Sequence, residues 1–291
     1  MTPTDDAAVA ALRFAGPPDR VDPPDRVDPP DPATARCARL VALDFDGTLA
    51  PLVDVPSAAT MTPAARAAVD RLAALAARPV PPSGDVLRLA LVSGRNLTDL
   101  AARSAAPAGT WLVGSHGAET GRVTSHGVDA ADLHLSPEQD ATLAALRAGM
   151  ADAAAGRRGA WVQDKPSAAV LHTRLSPAPD AEAAVAAADA VASRLGLHAM
   201  HGKDVVEVAV VPTSKGIAVE RLREETEEDT GLRTLLLYAG DDTTDEAAFA
   251  VLRPGDLGVK VGPGPTLAAH RVADADALAA LLRTLADRLE H

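Results

Sequence analysis

Short apolar runs without polar alternation recur along the chain, at Arg39–Leu43, Leu87–Val92, Trp111–Val113, Thr234–Tyr238 and Leu257–Val261. Each is bounded by glycine or polar residues, which predicts strands buried on both faces, as in a parallel sheet. Stretches with helical spacing separate them. Thr62 before Pro63, Asn96 and Ser214 each stand where a helix should open, and their side chains can cap its first N–H groups. This alternation predicts an α/β fold with a doubly wound, Rossmann-like parallel sheet.

The middle of the chain has a different pattern. From about Gly121 to Met200 there are two long alanine-rich helical stretches, opened by Ser136-Pro137 and by Asp180. WVQDKPSAAVLHTRL lies between them and VVEVAVV follows the second. A smaller α/β domain inserted over residues 121–205 is expected, leaving a core of residues 36–120 and 206–291. Residues 17–32 read PPDRVDPPDRVDPPDP, a short unit repeated. Proline at this density blocks backbone hydrogen bonding and the charges prefer water, so residues 1–35 are expected to form a disordered tail.

Composition narrows the partners. A net charge of −12 disfavours nucleic acid and anionic membranes, both of which want a basic face. The hydrophobic fraction is 47% but aromatics supply only 2%, so the core must rely on alanine-rich helices packed closely on a sheet. The single cysteine, Cys37, excludes an internal disulfide and fits a reducing compartment. The start, MTPTDDAAVA, lacks the basic and apolar segments of a signal peptide, and a cytoplasmic location is expected.

Four stretches carry candidate chemistry, each where a strand should end or a helix begin. Asp44-Phe45-Asp46-Gly47-Thr48 puts two carboxylates one residue apart, and like charges this close call for a cation between them. In Leu91–Arg95, LVSGR, the Ser93 hydroxyl and the N–H groups around Gly94 can hold a phosphate oxygen. Lys215 follows Ser214 in the first turn of a helix. That end is already positive, so the lysine makes more sense facing an anion or carboxylates than as a surface lysine. YAGDDTTDEAAF gathers Asp241, Asp242, Asp245 and Glu246, an oxygen-rich set that suits Mg²⁺.

Taken in this order, the four stretches resemble the haloacid dehalogenase superfamily of aspartate-nucleophile phosphohydrolases. LDFDGTLAP at 43–51, GSHGAE at 114–119 and GDDTTDE at 240–246 are similar to trehalose-6-phosphate phosphatases. So are Asp164-Lys165, His172, Arg174, Gly202-Lys203 and Glu207. The resemblance covers roughly residues 38–290. It implies that Asp44 attacks phosphorus and that Asp46 protonates the leaving sugar oxygen and then activates water. It also implies Mg²⁺ on Asp44, the Asp46 carbonyl and Asp241, with Asp242 or Asp245 contributing directly or through water.

Ser93, Gly94 and Lys215 would hold the phosphate. The inserted domain would be a cap in which Lys165, Arg174, Glu207 and Gln163 meet sugar hydroxyls, with Arg95 also near substrate. His116 would either contact substrate or stabilise its loop. Two residues depart from the family pattern, Gln163 in place of Glu and Thr173 in place of Tyr. The implied partner is a small sugar phosphate, with a functional link to a trehalose-6-phosphate synthase. The alternatives are a phosphatase for another sugar phosphate, such as a glucosylglycerate derivative, and a sugar phosphomutase. A non-catalytic sugar-binding subunit is disfavoured by the presence of Asp44, Asp46, Lys215 and Asp241.

Overall fold

The computed structural model describes residues 3–16, 36–53, 55–79, 84–131 and 135–290. They fall into two units, Met1–Ala131 with Ser214–His291, and Asp132–Thr213. The chain begins with α1 (Pro3–Phe14), β1 (Ala38–Leu43), α2 (Pro63–Ala76), β2 (Val86–Val92), α3 (Leu97–Ser104), β3 (Trp111–Gly114), β4 (Glu119–Thr124) and β5 (Gly127–Ala130). The second unit holds α4 (Pro137–Ala154), β6 (Trp161–Asp164), β7 (Ala168–His172), α5 (Ala178–Arg194), β8 (Ala199–Gly202) and β9 (Val205–Ala209). The chain then returns to the first unit with α6 (Lys215–Thr230), β10 (Thr234–Gly240), α7 (Glu246–Phe249), β11 (Leu257–Val261), β12 (His270–Val272) and α8 (Ala275–Leu289).

The large sheet runs β12-β11-β10-β1-β2-β3-β4-β5, parallel from β12 to β3 and antiparallel at β4 and β5. All five predicted strands are present. β1 and β10 are buried at every position, as their unbroken apolar sequences require. Alternate residues feed two separate cores. Val41, Leu43, Leu89, Leu91 and Leu237 pack with α1, α2 and α8, whereas Leu40, Ala42, Val92, Leu236 and Tyr238 pack with α6 and α7. From β1 the chain builds β2 and β3 on one side, then returns to build β10 on the other. The reversal lies between β1 and β10, and the carboxyl ends of strands at such a switch point form a ligand crevice.

Thr62, Asn96 and Ser214 each accept a hydrogen bond from the N–H three residues on, so the predicted caps of α2, α3 and α6 form. In the second unit an antiparallel sheet of order β6-β7-β9-β8 carries α4 and α5 through Leu143, Leu146, Met150, Leu171, Val206 and Val208. Ser136 and Gln139 close a capping box on α4. α5 opens behind Pro177, so Asp180 lies in its first turn instead of starting it.

The unit boundaries fall later than the expected 121 and 205. Glu119–Thr124 pairs antiparallel with β3 and belongs to the large sheet, while Val205–Ala209 pairs between β7 and β8. Local apolar content could not show which sheet would take either segment.

The expectation of a tail disordered from residue 1 is corrected at its start. The proline repeat at 17–32 lies outside the described residues, but Pro3–Phe14 is a helix. Ala7, Ala11 and Phe14 share one face and are buried with residues of α8. Buried Arg39 on β1 donates from Nε to the Phe14 carbonyl at 2.8 Å and from Nη2 to the Gly16 carbonyl, and its Nη1 pairs with Asp85. A guanidinium therefore takes up the carbonyls at the end of α1, the end where positive charge is favoured. Among the described residues, no helix is long and apolar enough to cross a membrane.

If α1 docks as described, Phe14→Ala should cost about 3–5 kcal/mol in urea unfolding, the usual range for a buried phenylalanine. Arg13→Ala, on the exposed side of the same helix, should cost less than about 0.5 kcal/mol. Equal small losses from both would show that α1 does not pack on the sheet.

Candidate active site

Asp44 follows the last residue of β1, and its N–H donates to the Ala239 carbonyl of β10 at 2.9 Å. Its carboxylate is buried and fully engaged. Oδ1 accepts from Lys215 Nζ at 2.7 Å and Oδ2 from Thr48 Oγ1 at 3.0 Å. Thr48 Oγ1 also lies 3.3 Å from Oδ1 of Asp241, which follows β10. Parallel register pairs Leu43 with Ala239, so both aspartates leave the sheet along the same edge. Gly47 permits this approach. Its φ is +78°, and a Cβ there would lie 2.0 Å from Asp241 Oδ2.

Lys215 is the first residue of α6 and is buried. Its ammonium lies 2.7 Å from both Asp44 and Asp245, which accounts for a lysine at a positive helix end. Burial alone would lower its pKa, but the two carboxylates outweigh that and raise it. Asp44 also shifts upward, to about 8, chiefly through burial, with Asp245 and Asp241 adding to the effect and Lys215 opposing it. The two shifts have different meanings. The lysine has two anions beside it and stays charged, whereas Asp44 has one cation against two further carboxylates. Asp241 is raised as well, by burial and then by Asp245.

Carboxylate oxygens of Asp44, Asp241 and Asp245 come within 4.8 Å of one another. Three carboxylates around one ammonium leave two negative charges in excess, which fits a divalent cation, and the all-oxygen donors suit Mg²⁺. The three are not equivalent. Asp245 is fully buried, with Oδ1 accepting from Lys215 and from Tyr238 Oη at 2.6 Å, and Oδ2 from the Asp242 N–H at 2.8 Å. Asp44 and Asp241 are the better placed to hold a metal.

The other expected residues divide. Asp46 does not join the carboxylate cluster. Its two oxygens accept from Arg95 Nε at 2.6 Å and Nη2 at 2.7 Å, a bidentate pair that Asp99 and the Pro56 carbonyl extend. Each aspartate of the pair thus meets its own cation, Lys215 for Asp44 and Arg95 for Asp46. Asp242 caps the turn at Thr243 through its Oδ1. Ser93 follows β2, and its Oγ accepts from the Arg95 N–H at 3.1 Å. The His116 ring lies against Gly94, where a Cβ would come within 2.6 Å of it, and the Ser115-His116 backbone is left-handed with φ of 49° and 55°.

Sequence reasoning missed Thr48, Tyr238 and Lys260. Lys260 is buried and donates to the Asp241 carbonyl. A lysine inside the apolar strand β11 was the available signal, because an ammonium buried there needs an acceptor.

In the second unit, Lys165 Nζ lies 2.9 and 2.8 Å from the two Glu207 oxygens. Gln163 Oε1 lies 3.2 Å from His172 Nε2, and the His172 ring stacks on Trp161 at 3.9 Å. Burial, and then Lys165, lowers the His172 pKa, so the ring stays neutral near pH 7. Arg174 is exposed, while buried Thr173 donates from Oγ1 to the Asp204 carbonyl.

A family model described as trehalose-phosphatase matches residues 42–276. A trehalose-phosphate phosphatase of Mycobacterium marinum is 32% identical over 76% of this chain and 53% of its own length. A probable trehalose-phosphate phosphatase of Sinorhizobium fredii is 33% identical over 84% of this chain and 86% of its own. The chain spans about half the length of the first curated relatives it matches. Among solved structures, a trehalose-6-phosphate phosphatase related protein aligns with TM-score 0.62 over 85% of this chain and 97% of its own, at 23% identity, which speaks to the fold.

The buried charge makes a stability prediction. Asp44 has a folded pKa of about 8 against about 3.9 unfolded. Between those values the folded chain binds more protons than the unfolded one, so its stability falls as pH rises from about 4 to about 8. Without divalent cations, Asp44→Asn should therefore melt higher than the wild type, and by more at pH 8 than at pH 5. A gap that is constant with pH would contradict the shift.

Proposed function

The chain belongs to the trehalose-phosphatase family, and from that premise we propose that it hydrolyses trehalose 6-phosphate to trehalose and phosphate. The observation that carries this is the Asp44 carboxylate, buried at the switch point with Lys215 on one oxygen and Thr48 on the other. A nucleophile held this way can attack phosphorus and form an aspartyl-phosphate. Lys215 stays charged beside it to balance the phosphoryl oxygens, and the Ser93 hydroxyl with the N–H groups around Gly94 gives them further donors. Mg²⁺ on Asp44, Asp241 and the Asp46 carbonyl would supply the remaining neutralisation.

Asp46 protonates the departing sugar oxygen and later takes a proton from water. Both of its oxygens are engaged by Arg95 in this structure, so the carboxyl must release the guanidinium before it carries a proton. Recognition of the sugar falls to Lys165, Glu207, Gln163 and Arg174 of the second unit, where charged and amide groups can meet hydroxyls. A trehalose-6-phosphate synthase would supply the ester. Gln163, neutral and bonded to His172, favours as a second reading a phosphatase for a different sugar phosphate.

A sugar-phosphate panel with p-nitrophenyl phosphate, read as released phosphate, tests these roles. Asp44→Asn should abolish release from every ester. Lys165→Ala should cut kcat/KM on trehalose 6-phosphate by about 10- to 150-fold, the value of one hydrogen bond to a charged group. The aryl ester, which needs only the chemistry, should be hydrolysed as before. Equal losses on both esters would place Lys165 in the chemistry or the fold. A preference for another sugar ester would select the second reading.

A further inference from the structure

Tyr238 is the only tyrosine in the chain and is fully buried in the middle of the large sheet. Its ring meets Phe249 edge-on, with centroids 5.5 Å apart, and packs in the core that β10 shares with α6 and α7. A phenylalanine would fill that place equally well. The hydroxyl is what a packing role leaves unexplained.

That hydroxyl donates to Asp245 Oδ1 at 2.6 Å. The same oxygen accepts from Lys215 Nζ at 2.7 Å, and Lys215 in turn lies 2.7 Å from Asp44 Oδ1. Phenol, carboxylate, ammonium and carboxylate form one unbroken buried chain that ends on the nucleophile. Lys215 stands at equal distance from two anions, so which of them holds it more tightly depends on how much charge each retains. Tyr238 withdraws charge from the one oxygen of Asp245 that competes for the ammonium. The second oxygen of Asp245 is fixed by the Asp242 N–H at 2.8 Å, so the carboxylate cannot turn to offer Lys215 a free atom.

Resting on the phosphatase reading above, we infer that Tyr238 is a positioning residue for the reaction. Its hydroxyl tempers Asp245 so that Lys215 stays shared with Asp44 and the transferring phosphoryl group. Without it Asp245 draws the ammonium away from the point of attack. Burial, and then Asp245, keeps the Tyr238 hydroxyl protonated far above neutrality, so it remains a donor across the working pH range.

Tyr238→Phe removes the donor and keeps the ring. On trehalose 6-phosphate and on p-nitrophenyl phosphate it should lower kcat by about 10-fold or more, as expected for losing a hydrogen bond to a charged group. KM should stay within about twofold on both. Adding Tyr238→Phe to Asp245→Asn should cost little beyond Asp245→Asn alone, because the hydroxyl acts through that carboxylate. Phe249→Leu, which disturbs the packing but no hydrogen bond, should lower the melting temperature and leave kcat unchanged. Tyr238→Phe with kcat within twofold of wild type, or losses that simply add in the double variant, would overturn the inference and leave the phosphatase reading intact. If the wild type releases phosphate from no ester, the reading fails and the inference fails with it.

Discussion

The Lys215 ammonium, buried at the start of α6 and 2.7 Å from both Asp44 and Asp245, is the contact on which the rest of the first unit's site depends. An ammonium out of water is costly unless charges of opposite sign surround it. Two carboxylates satisfy it, and a third, Asp241, lies beside them, so the cluster holds more negative than positive charge. Burial first, and then the neighbouring carboxylates, push Asp44 upward, and the excess of negative charge could hold a divalent cation. Each feature follows from three separate parts of the chain meeting at one point. β1 and β10 deliver Asp44 and Asp241 side by side, and the chain returning from the second unit delivers Lys215.

The same logic separates the two aspartates of the Asp44-Phe45-Asp46 pair. The chain leaves β1 at Leu43 and turns through Gly47, and each carboxylate meets a different cation. Asp44 turns inward to a lysine that remains beside it. Asp46 turns to Arg95, whose planar fork takes both oxygens and is itself tied to Asp99. The proposed nucleophile and the proposed proton carrier are thus held in different ways, one buried and one with 31% of its side chain exposed.

Much of this was legible in the sequence because it is local. Unbroken apolar runs gave the strands, and Thr62, Asn96 and Ser214 gave the helix starts. Asp44, Lys215 and Asp241 stood out as charges at the ends of buried elements. What was missed depends on partners distant in the chain. Asp245 is gathered with Asp44 and Asp241 as expected, but the bonds its Oδ1 accepts from Lys215 and Tyr238 come from elsewhere in the fold. The large sheet claimed Glu119–Thr124 only because β3 was there to pair with it. α1 was hidden by its neighbour. The proline repeat after it coloured the whole N-terminus, although Ala7, Ala11 and Phe14 already marked a helix face, and its anchor, Arg39, lies across the repeat.

One buried cluster of carboxylates, with Asp44 and Asp241 both shifted upward, could hold a divalent cation, and its binding would displace protons. Calorimetric titration of Mg²⁺ at pH 7, repeated in buffers of different ionisation enthalpy, counts protons released on binding. With Asp44 raised to about 8 and Asp241 raised beside it, the wild type should release protons as the cation binds, and Asp44→Asn should release fewer. Binding without proton release in the wild type, or the same release from Asp44→Asn, would contradict the account.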